Sequence, residues 1–408
     1  MRRTMHTREW WNWQTRWLQV PVFARTCGFK SRLAHQKNSG VNRGFFLCFL
    51  GISIKITYGV GDYIMQKTVA LERNIGLDLL KIIACFAVVV LHVTGIVPIK
   101  SVGYSLKTTL YYIAGFAVPI FFMVNGYSLL NKTKLNYRYI SKKILSILAV
   151  VFSWNVLEFI VKLVAEKKMT NPFYTSLSSL IQRDYFWQFW FFGALIIIYL
   201  LLPLIHKSFT KLKPALIITT VFVTICLSID ITSIVRSISG HSIVQSQVPQ
   251  TFRLWTWLTY YFLGGLLGKK QVMDFVLKHL RMSFNWLIFI ISLVIMSIYQ
   301  YKMSFVFMDV RAESFYDNIF TFIYVISLFI LVCRQDFSKY KTNLIQQISN
   351  NVMGIYIIHV TIMITMTHLY KFNTLFTNIS LVFIVFLISL TASLIISKIQ
   401  FANKMIKI

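Results

Sequence analysis

The chain has 408 residues, of which 56% are hydrophobic and 13% charged, and its formal net charge at pH 7 is +29. This composition excludes an ordinary soluble domain and indicates a polytopic membrane protein. The basic residues lie mostly in short loops between apolar runs, so membrane topology explains the charge better than nucleic-acid binding does. The five cysteines are scattered and show no metal-ligand spacing, so we predict neither a metal site nor a disulfide framework.

Residues 1–64 differ from the rest because they are basic and show neither a helical nor a strand period. Back-translated, parts of them resemble the arms of a transfer-RNA gene. We therefore predict that translation begins at Met65, that 1–64 is disordered or not native, and that 65–408 forms the membrane domain. A basic targeting arm and an extra membrane segment at 45–56 are the alternatives, although that apolar run is short for a span.

Ten apolar segments follow Met65, joined by loops that are alternately rich and poor in Lys and Arg. The predicted fold is therefore all-α, a bundle of about ten transmembrane helices with both termini on the cytoplasmic side. The sixth segment is short and contains Gly264-Gly265, so we expect it to be tilted or broken. The predicted segments are 75–97, 108–130, 142–164, 189–205, 214–234, 254–268, 284–301, 315–333, 349–369 and 376–399.

The first segment carries ionisable side chains along one stripe of a helix. At about 100° per residue, Asp78, Lys81, Cys85 and His92 fall on one face, and Asp78 and Lys81 can pair at i,i+3. Ionisable groups inside a spanning helix are costly, so they are candidate functional residues. His92 is suited to proton transfer, and the alternative is a paired, structural polar stripe.

Four stretches, in this order, resemble the membrane acyltransferase family 3, the acyl-CoA-dependent O-acyltransferases of bacterial surface polysaccharides. They are LDLLKIIACFAVVVLH at 77–92, AVPIFFMVNGY at 117–127, FWFFGALIIIYLLLP at 189–203 and ISNNVMGIYIIH at 348–359. The family often has Arg where this chain has Lys81, and an RxxR-like pattern where it has Arg138, Lys142 and Lys143. Lysine lacks the bidentate fork of arginine, so the geometry of anion binding is expected to differ from the family's while the class stays the same.

The resemblance implies transfer of an acyl group, acetyl by analogy, from acyl-CoA as a co-substrate, with no bound cofactor and no metal. His92 would be the general base, and Asp78 would orient the site or tune its charge. Asp78 lies fourteen residues from His92, about 21 Å along the helix, so the two cannot touch. The donor's phosphates would bind basic residues on the cytoplasmic side, for which positive-inside anchoring is the alternative role: Arg73, Lys81, Arg138, Lys142 and Lys143.

Other polar and aromatic residues are candidates for substrate binding. Glu158 is a possible partner of His92, or else it pairs with Lys162 at i,i+4. Trp190 and Tyr199 would stack on a sugar or on the donor, or else pack in the core. Tyr356 and His359, one turn apart, would line the acceptor side, and a buried structural histidine is the alternative for His359.

The resemblance also implies the partners: membrane lipids, acyl-CoA and a glycan or lipid-linked sugar acceptor, with no nucleic acid. The expected location is the bacterial inner membrane, as a multi-pass protein. Two other functions stay open. The same passage would serve a transporter of a small anion or sugar-lipid, or an accessory protein of polysaccharide export. No nucleophile motif is present, which favours direct transfer over a covalent acyl-enzyme.

Overall fold

The computed structural model describes residues 53–55, 66–68, 73–95, 106–337, 342–370 and 374–407. The predicted start at Met65, and the predicted extension 1–64 apart from 53–55, lie outside the described residues. The chain divides into two compact units. One, spanning Pro21–Asn74, contains two antiparallel strands, Ser53–Lys55 (β1) and Gln66–Thr68 (β2). The other contains the helices.

The helical unit is all-α, as predicted from the apolar segments. Its helices are α1 Ile75–Gly95, α2 Leu106–Ile113, α3 Ala117–Leu130, α4 Tyr137–Glu166, α5 Pro172–Leu180, α6 Trp190–Phe209, α7 Leu212–Ile238, α8 Leu254–Leu267, α9 Lys270–His279, α10 Met282–Val306, α11 Ile319–Cys333, α12 Asn343–Leu369 and α13 Leu375–Lys398. Single helical turns occupy Ala114–Phe116, Trp187–Phe189, Val244–Gln247, Gln250–Phe252, Ala312–Phe315 and Ala402–Met405.

Within the described residues, eight helical stretches are long and apolar enough to cross a membrane, with α2 and α3 counted as one stretch, Leu106–Leu130. The protein is therefore a multi-pass membrane protein. The sixth and eighth predicted segments correspond to α8 and α11, which have 14 and 15 residues. They extend about 21–22 Å, less than the roughly 30 Å of a hydrocarbon core. Ten crossings and two cytoplasmic termini stay predictions.

Of the two alternatives expected for the sixth segment, the break is wrong, because α8 runs without interruption through Gly264 and Gly265, and the tilt stays a prediction. The glycines serve close packing instead. A Cβ added at Gly264 would lie 2.0 Å from the backbone oxygen of Met123 in α3, and one at Gly126 of α3 would lie 1.8 Å from that of Tyr261 in α8. Two helices can approach this closely only where side chains are absent, as is common between membrane helices.

α1 lies near the centre of the bundle, where it packs against α2, α3, α11, α12 and α13. In the most apolar 18-residue stretch of α1, 67% is buried inside the protein, whereas the corresponding share is 22% in α7 and in α10. The outer helices expose apolar side chains such as Ile231 and Ile290, which is the surface expected to face lipid. The polar groups of α1 are therefore shielded from lipid by protein on several sides.

Candidate active site

At the amino-terminal end of α1, Asp78 and Lys81 form the predicted i,i+3 ion pair, with 2.8 Å between carboxylate oxygen and ammonium nitrogen. Ser349 of α12 donates a hydrogen bond of 2.7 Å to the same carboxylate oxygen, and its hydroxyl accepts one of 3.5 Å from Lys81. All three side chains are buried. Since buried charges are tolerated when they are paired and hydrogen-bonded, this network joins α1 to α12 at low cost.

At the other end of α1, His92 meets aromatic rings from two distant parts of the chain. Its ring centroid lies 5.1 Å from that of His359 in α12 and 5.5 Å from that of Trp187, in the turn before α6. His92 and His359 are 2% and 0% exposed. Imidazole is the side chain that changes its charge between about pH 5 and 8. A buried pair of imidazoles is therefore suited to taking up and returning a proton.

His359 is oriented by its own helix. Its Nδ1 lies 2.6 Å from the backbone oxygen of Tyr356, one turn earlier. A carbonyl can only accept, so Nδ1 is the donor in this contact and Nε2 is the basic nitrogen of the neutral ring. The hydroxyl of Tyr356 donates 3.3 Å to the backbone oxygen of Gln188, which follows Trp187. The structure thus places Tyr356, His359 and His92 together.

Asp78 and His92 occupy opposite ends of α1, so Asp78 does not join the histidine pair. Helix α6 gives a second measure of the separation between the two ends of α1. It runs from the turn beside His92 to Lys132, which, like Lys81, lies within electrostatic range of Lys143. It begins at Trp190, three residues after Trp187, and near its end His206 makes a 2.7 Å hydrogen bond with the backbone oxygen of Lys132. Sixteen residues of helix correspond to about 24 Å.

The carboxylate of Glu158 in α4 pairs with Lys162, with 2.5 Å between oxygen and nitrogen. This is the alternative arrangement considered from the sequence. The Lys162 ammonium also lies 5.9 Å from the ring centroid of Tyr185, whose hydroxyl donates to Thr361. Glu158 therefore belongs to a polar contact between α4, the loop before α6 and α12.

Lys143 of α4 is a cation buried in the protein. It is 5% exposed, and no hydrogen-bond partner for its ammonium occurs in the described chain. The ammonium nitrogen of Lys143 lies 5.5 Å from the ring centroid of Tyr139, and that of Lys132 lies 3.9 Å from the same centroid. Lys81 and Lys132 are both within electrostatic range of Lys143. Burial lowers the pKa of Lys132. The lysine cluster, which consists of Lys81, Lys132 and Lys143, carries a positive charge that would attract an anion.

Two of the other predicted phosphate ligands lie on the protein surface. Arg138 and Lys142 are exposed on the surface of α4, and the backbone N–H of Arg138 is capped by the side chain of Asn136. Arg73 lies two residues before α1 and belongs to the unit that holds the strands. Whether these three residues bind a donor stays a prediction.

The two candidate aromatic residues of α6 lie in different surroundings. Trp190 is 0% exposed and its ring centroid lies 5.1 Å from that of Trp257. Tyr199 is 1% exposed and donates a 3.1 Å hydrogen bond to Asn125 of α3. Nine residues, about 13 Å of helix, separate them. The structure thus places Trp190, and not Tyr199, near the turn that contacts His92.

Three residues that the sequence reasoning did not select are Ser349, Trp187 and Lys132. From the sequence, the aromatic run that starts at Phe186 is compatible with either a lipid interface or the mouth of a cavity, and its burial argues against the interface. Lys132 is one of the basic residues in the short loops. The aromatic run and the loop lysine are both visible in the sequence. Only the packing of distant helices distinguishes them from other aromatic and basic residues.

No group of three or more metal-ligating side chains is close enough to hold an ion in the part of the chain that the structure describes. The described cysteines, Cys85, Cys226 and Cys333, are unpaired thiols. Cys85 faces the backbone oxygen of Val352 at 3.8 Å, a packing contact between α1 and α12. These thiols give no sign of a nucleophile held by a base.

Comparison with known families decides the class. The acyltransferase domain of the acyltransferase 3 family matches residues 74–398, which include both ends of α1 and the whole of α12. The chain belongs to the acyltransferase 3 family. This confirms the resemblance drawn from the four stretches. Neither the curated proteins nor the solved structures gave a match.

The acyltransferase 3 match makes the protein a membrane acyltransferase. Its matched region begins one residue before α1 and ends with α13, so the helical unit and the family domain coincide closely. The buried histidine pair and the lysine cluster both lie inside that domain. An acyl transfer needs a base for the acceptor and a place for the donor, and the two clusters are the candidates for these roles.

Proposed function

We propose that this membrane acyltransferase is an O-acetyltransferase of the bacterial inner membrane, moving an acetyl group from cytoplasmic acetyl-CoA to a hydroxyl of a cell-surface or lipid-linked glycan. The observation that carries the proposal is the buried pair of His92 and His359, with ring centroids 5.1 Å apart. A hydroxyl needs a base to become a good nucleophile, and an imidazole supplies one near neutral pH.

The lysine cluster supports a donor site for acyl-CoA. Lys143 is buried with no hydrogen-bond partner among the described residues, and a buried cation is costly unless an anion compensates it. The phosphates of CoA would supply that negative charge, and Lys132 would bind them beside Lys143. Eleven residues of α1 separate Lys81 from His92, about 16 Å. The extended arm of CoA would span this distance and carry the thioester towards His92.

In the proposed step His92 takes the proton of the acceptor hydroxyl while the oxygen attacks the thioester carbonyl. The new C–O bond forms, the C–S bond breaks, and the imidazolium returns the proton to the departing thiolate. His359 positions His92, because its own ring is fixed by the carbonyl of Tyr356. Asp78 acts at a distance, since its bond to Ser349 holds α12 against α1.

The test uses permeabilised membranes that hold the full chain, radiolabelled acetyl-CoA and surface glycan from the producing cells. We expect label to move to the glycan with the wild-type protein, and transfer to fall about 10²–10⁴-fold in His92→Ala, which is the usual value of general-base assistance. The matched control is His368→Ala. His368 also lies on α12, but it is exposed and its Nδ1 contacts the backbone oxygen of Ile364 in its own helix.

Equal transfer by wild type and His92→Ala would keep the enzyme class and remove His92 from its centre. Absence of transfer to this glycan, with folded protein confirmed by a single symmetrical peak in detergent, would contradict the proposal and favour a transporter. Loss of transfer in His368→Ala as well would point to a general defect of α12 instead.

A further inference from the structure

Buried polar side chains without partners gather beside the histidine pair. Gln188 and Gln250 are both 0% exposed, and neither polar atom of either side-chain amide has a hydrogen-bond partner within the described chain. The buried indole nitrogen of Trp190 is in the same condition. Because a buried polar atom without a partner costs free energy, native proteins contain few of them. A group of such atoms therefore indicates a place where a polar molecule binds.

These residues are neighbours in space. The ring of Trp187 lies 5.5 Å from that of His92, and Gln188 is the next residue. The backbone oxygen of Trp190 accepts a 3.5 Å hydrogen bond from the hydroxyl of Thr251, and Gln250 precedes Thr251. The turn before α6, which contacts His92, and the turn before α8 are therefore in contact with each other.

Arg253, which follows the turn before α8, is also buried, at 1% exposed. Its Nε donates 3.1 Å to the backbone oxygen of Val248 and its Nη1 donates 2.9 Å to that of Glu313. These two bonds fix the guanidinium plane. Its Nη2 has no hydrogen-bond partner among the residues the structure describes, so a positioned donor is left for something else.

Glu313 supplies the complementary acceptor. It is 3% exposed, its Oε1 has no hydrogen-bond partner, and in the described chain it does not form an ion pair with Arg253. Its loop is held by Asp309, which accepts two hydrogen bonds from the side chain of Arg311 and one from Ser314. Burial lowers the pKa of Arg253 to about 10, so the guanidinium stays charged at neutral pH, and burial raises the pKa of Glu313.

We propose that Gln188, Gln250, Arg253 and Glu313 form the binding subsite for the sugar ring that carries the acceptor hydroxyl; this inference rests on the function proposed above. Every sugar hydroxyl is both a donor and an acceptor, and this set offers two amides, a fixed donor and a carboxylate. A phosphate would suit Arg253 but would be repelled by an ionised Glu313. The set therefore fits a hydroxyl-rich ring better than an anion.

The position of this subsite agrees with a separate entry for the acceptor. It adjoins the amino-terminal end of α6, whereas His206 near the other end of α6 contacts the lysine cluster through Lys132. About 24 Å of helix separates the two. Donor and acceptor would therefore approach His92 from opposite sides.

The experiment titrates surface glycan and acetyl-CoA separately in the membrane assay, for the full chain and for Glu313→Gln, Gln250→Ala and Trp190→Phe. Glu313→Gln keeps the shape of the side chain and removes its charge. We expect the half-saturating glycan concentration to rise about tenfold or more in Glu313→Gln, with less change in the other two, while that of acetyl-CoA stays the same. The matched control is Glu166→Gln, since Glu166 is exposed at the end of α4.

The outcomes separate this inference from the function on which it rests. Absence of transfer by the wild type would overturn both. Transfer by the wild type with an unchanged glycan titration in all three variants would overturn the subsite alone and would mean that bound water satisfies these groups. If Glu313→Gln does not fold, as judged by its elution in detergent, Gln250→Ala and Trp190→Phe decide by the same titration.

Discussion

The two ends of α1 both bury ionisable side chains, but they satisfy them differently. At the amino-terminal end Asp78, Lys81 and Ser349 bond to one another within 2.7–3.5 Å. At the carboxyl-terminal end the histidine pair adjoins the turn that carries Gln188, whose buried amide has no hydrogen-bond partner in the described chain. A satisfied network is expected to stabilise a fold, and an unsatisfied one is expected to receive a ligand.

The same contrast occurs between two lysines of one region. Lys81 and Lys143 are each 5% exposed, yet Lys81 pairs with Asp78 whereas the ammonium of Lys143 lacks a hydrogen-bond partner within the described residues. Burial alone therefore does not tell what a charged side chain does. The partner of each charge separates a structural lysine from a candidate ligand-binding one.

The largest effect on stability should come from Asp78→Ala. It leaves Lys81 as an uncompensated buried cation, which typically costs about 3–5 kcal/mol in the free energy of unfolding. Unfolding in mixed micelles, followed by circular dichroism, measures the change. The double variant Asp78→Leu with Lys81→Met should recover most of the loss, because an apolar pair can replace a buried ion pair.

The control for this experiment is Glu166→Ala. Glu166 pairs with Lys168 at 3.1 Å on the surface, and an exposed pair of this kind contributes at most about 1 kcal/mol. An Asp78→Ala protein as stable as the control would contradict a structural role and return Asp78 to the catalytic role implied by the family resemblance.

How far the sequence predicts these features depends on whether they lie within one helix. Helix geometry alone places Asp78, Lys81 and His92 on one stripe, and the ion pair was predicted from it. The contact of His92 with His359 joins positions 267 residues apart, and no local period reveals which helices pack together. Gly264 shows the same limit, since its effect depends on the closeness of α3 and not on its own helix.

Adjacent lysines illustrate this within α4. Lys142 and Lys143 lie about 100° apart on the helix, so at most one of them faces inward, but the sequence does not say which. Both were proposed to bind the donor. The structure exposes Lys142 and buries Lys143, because that face of α4 lies against the protein and the other does not.

A smaller effect, and one of opposite sign on stability, is expected from Lys143→Met. Removing a buried charge without a hydrogen-bond partner should leave the free energy of unfolding unchanged or raise it. The half-saturating concentration of acetyl-CoA should rise about 10–100-fold, the usual value of a hydrogen bond to a charged group. The glycan titration serves as the internal control and should not change. Loss of stability would mean that Lys143 has a structural partner.

The smallest effects are expected from Arg138→Gln and Lys142→Gln. Both side chains are exposed, and the interaction of an exposed charge with a ligand is screened over about 10 Å at 0.1 M salt. The half-saturating concentration of acetyl-CoA should therefore rise less than about fivefold, and high salt should remove even that difference. The larger effect of Lys143→Met should persist at high salt, because a buried charge is screened much less. Titrations at low and high salt for these three variants measure both points. If Lys142→Gln weakens the donor as much as Lys143→Met does, the phosphates bind on the surface of α4, and the buried lysine is not the donor site.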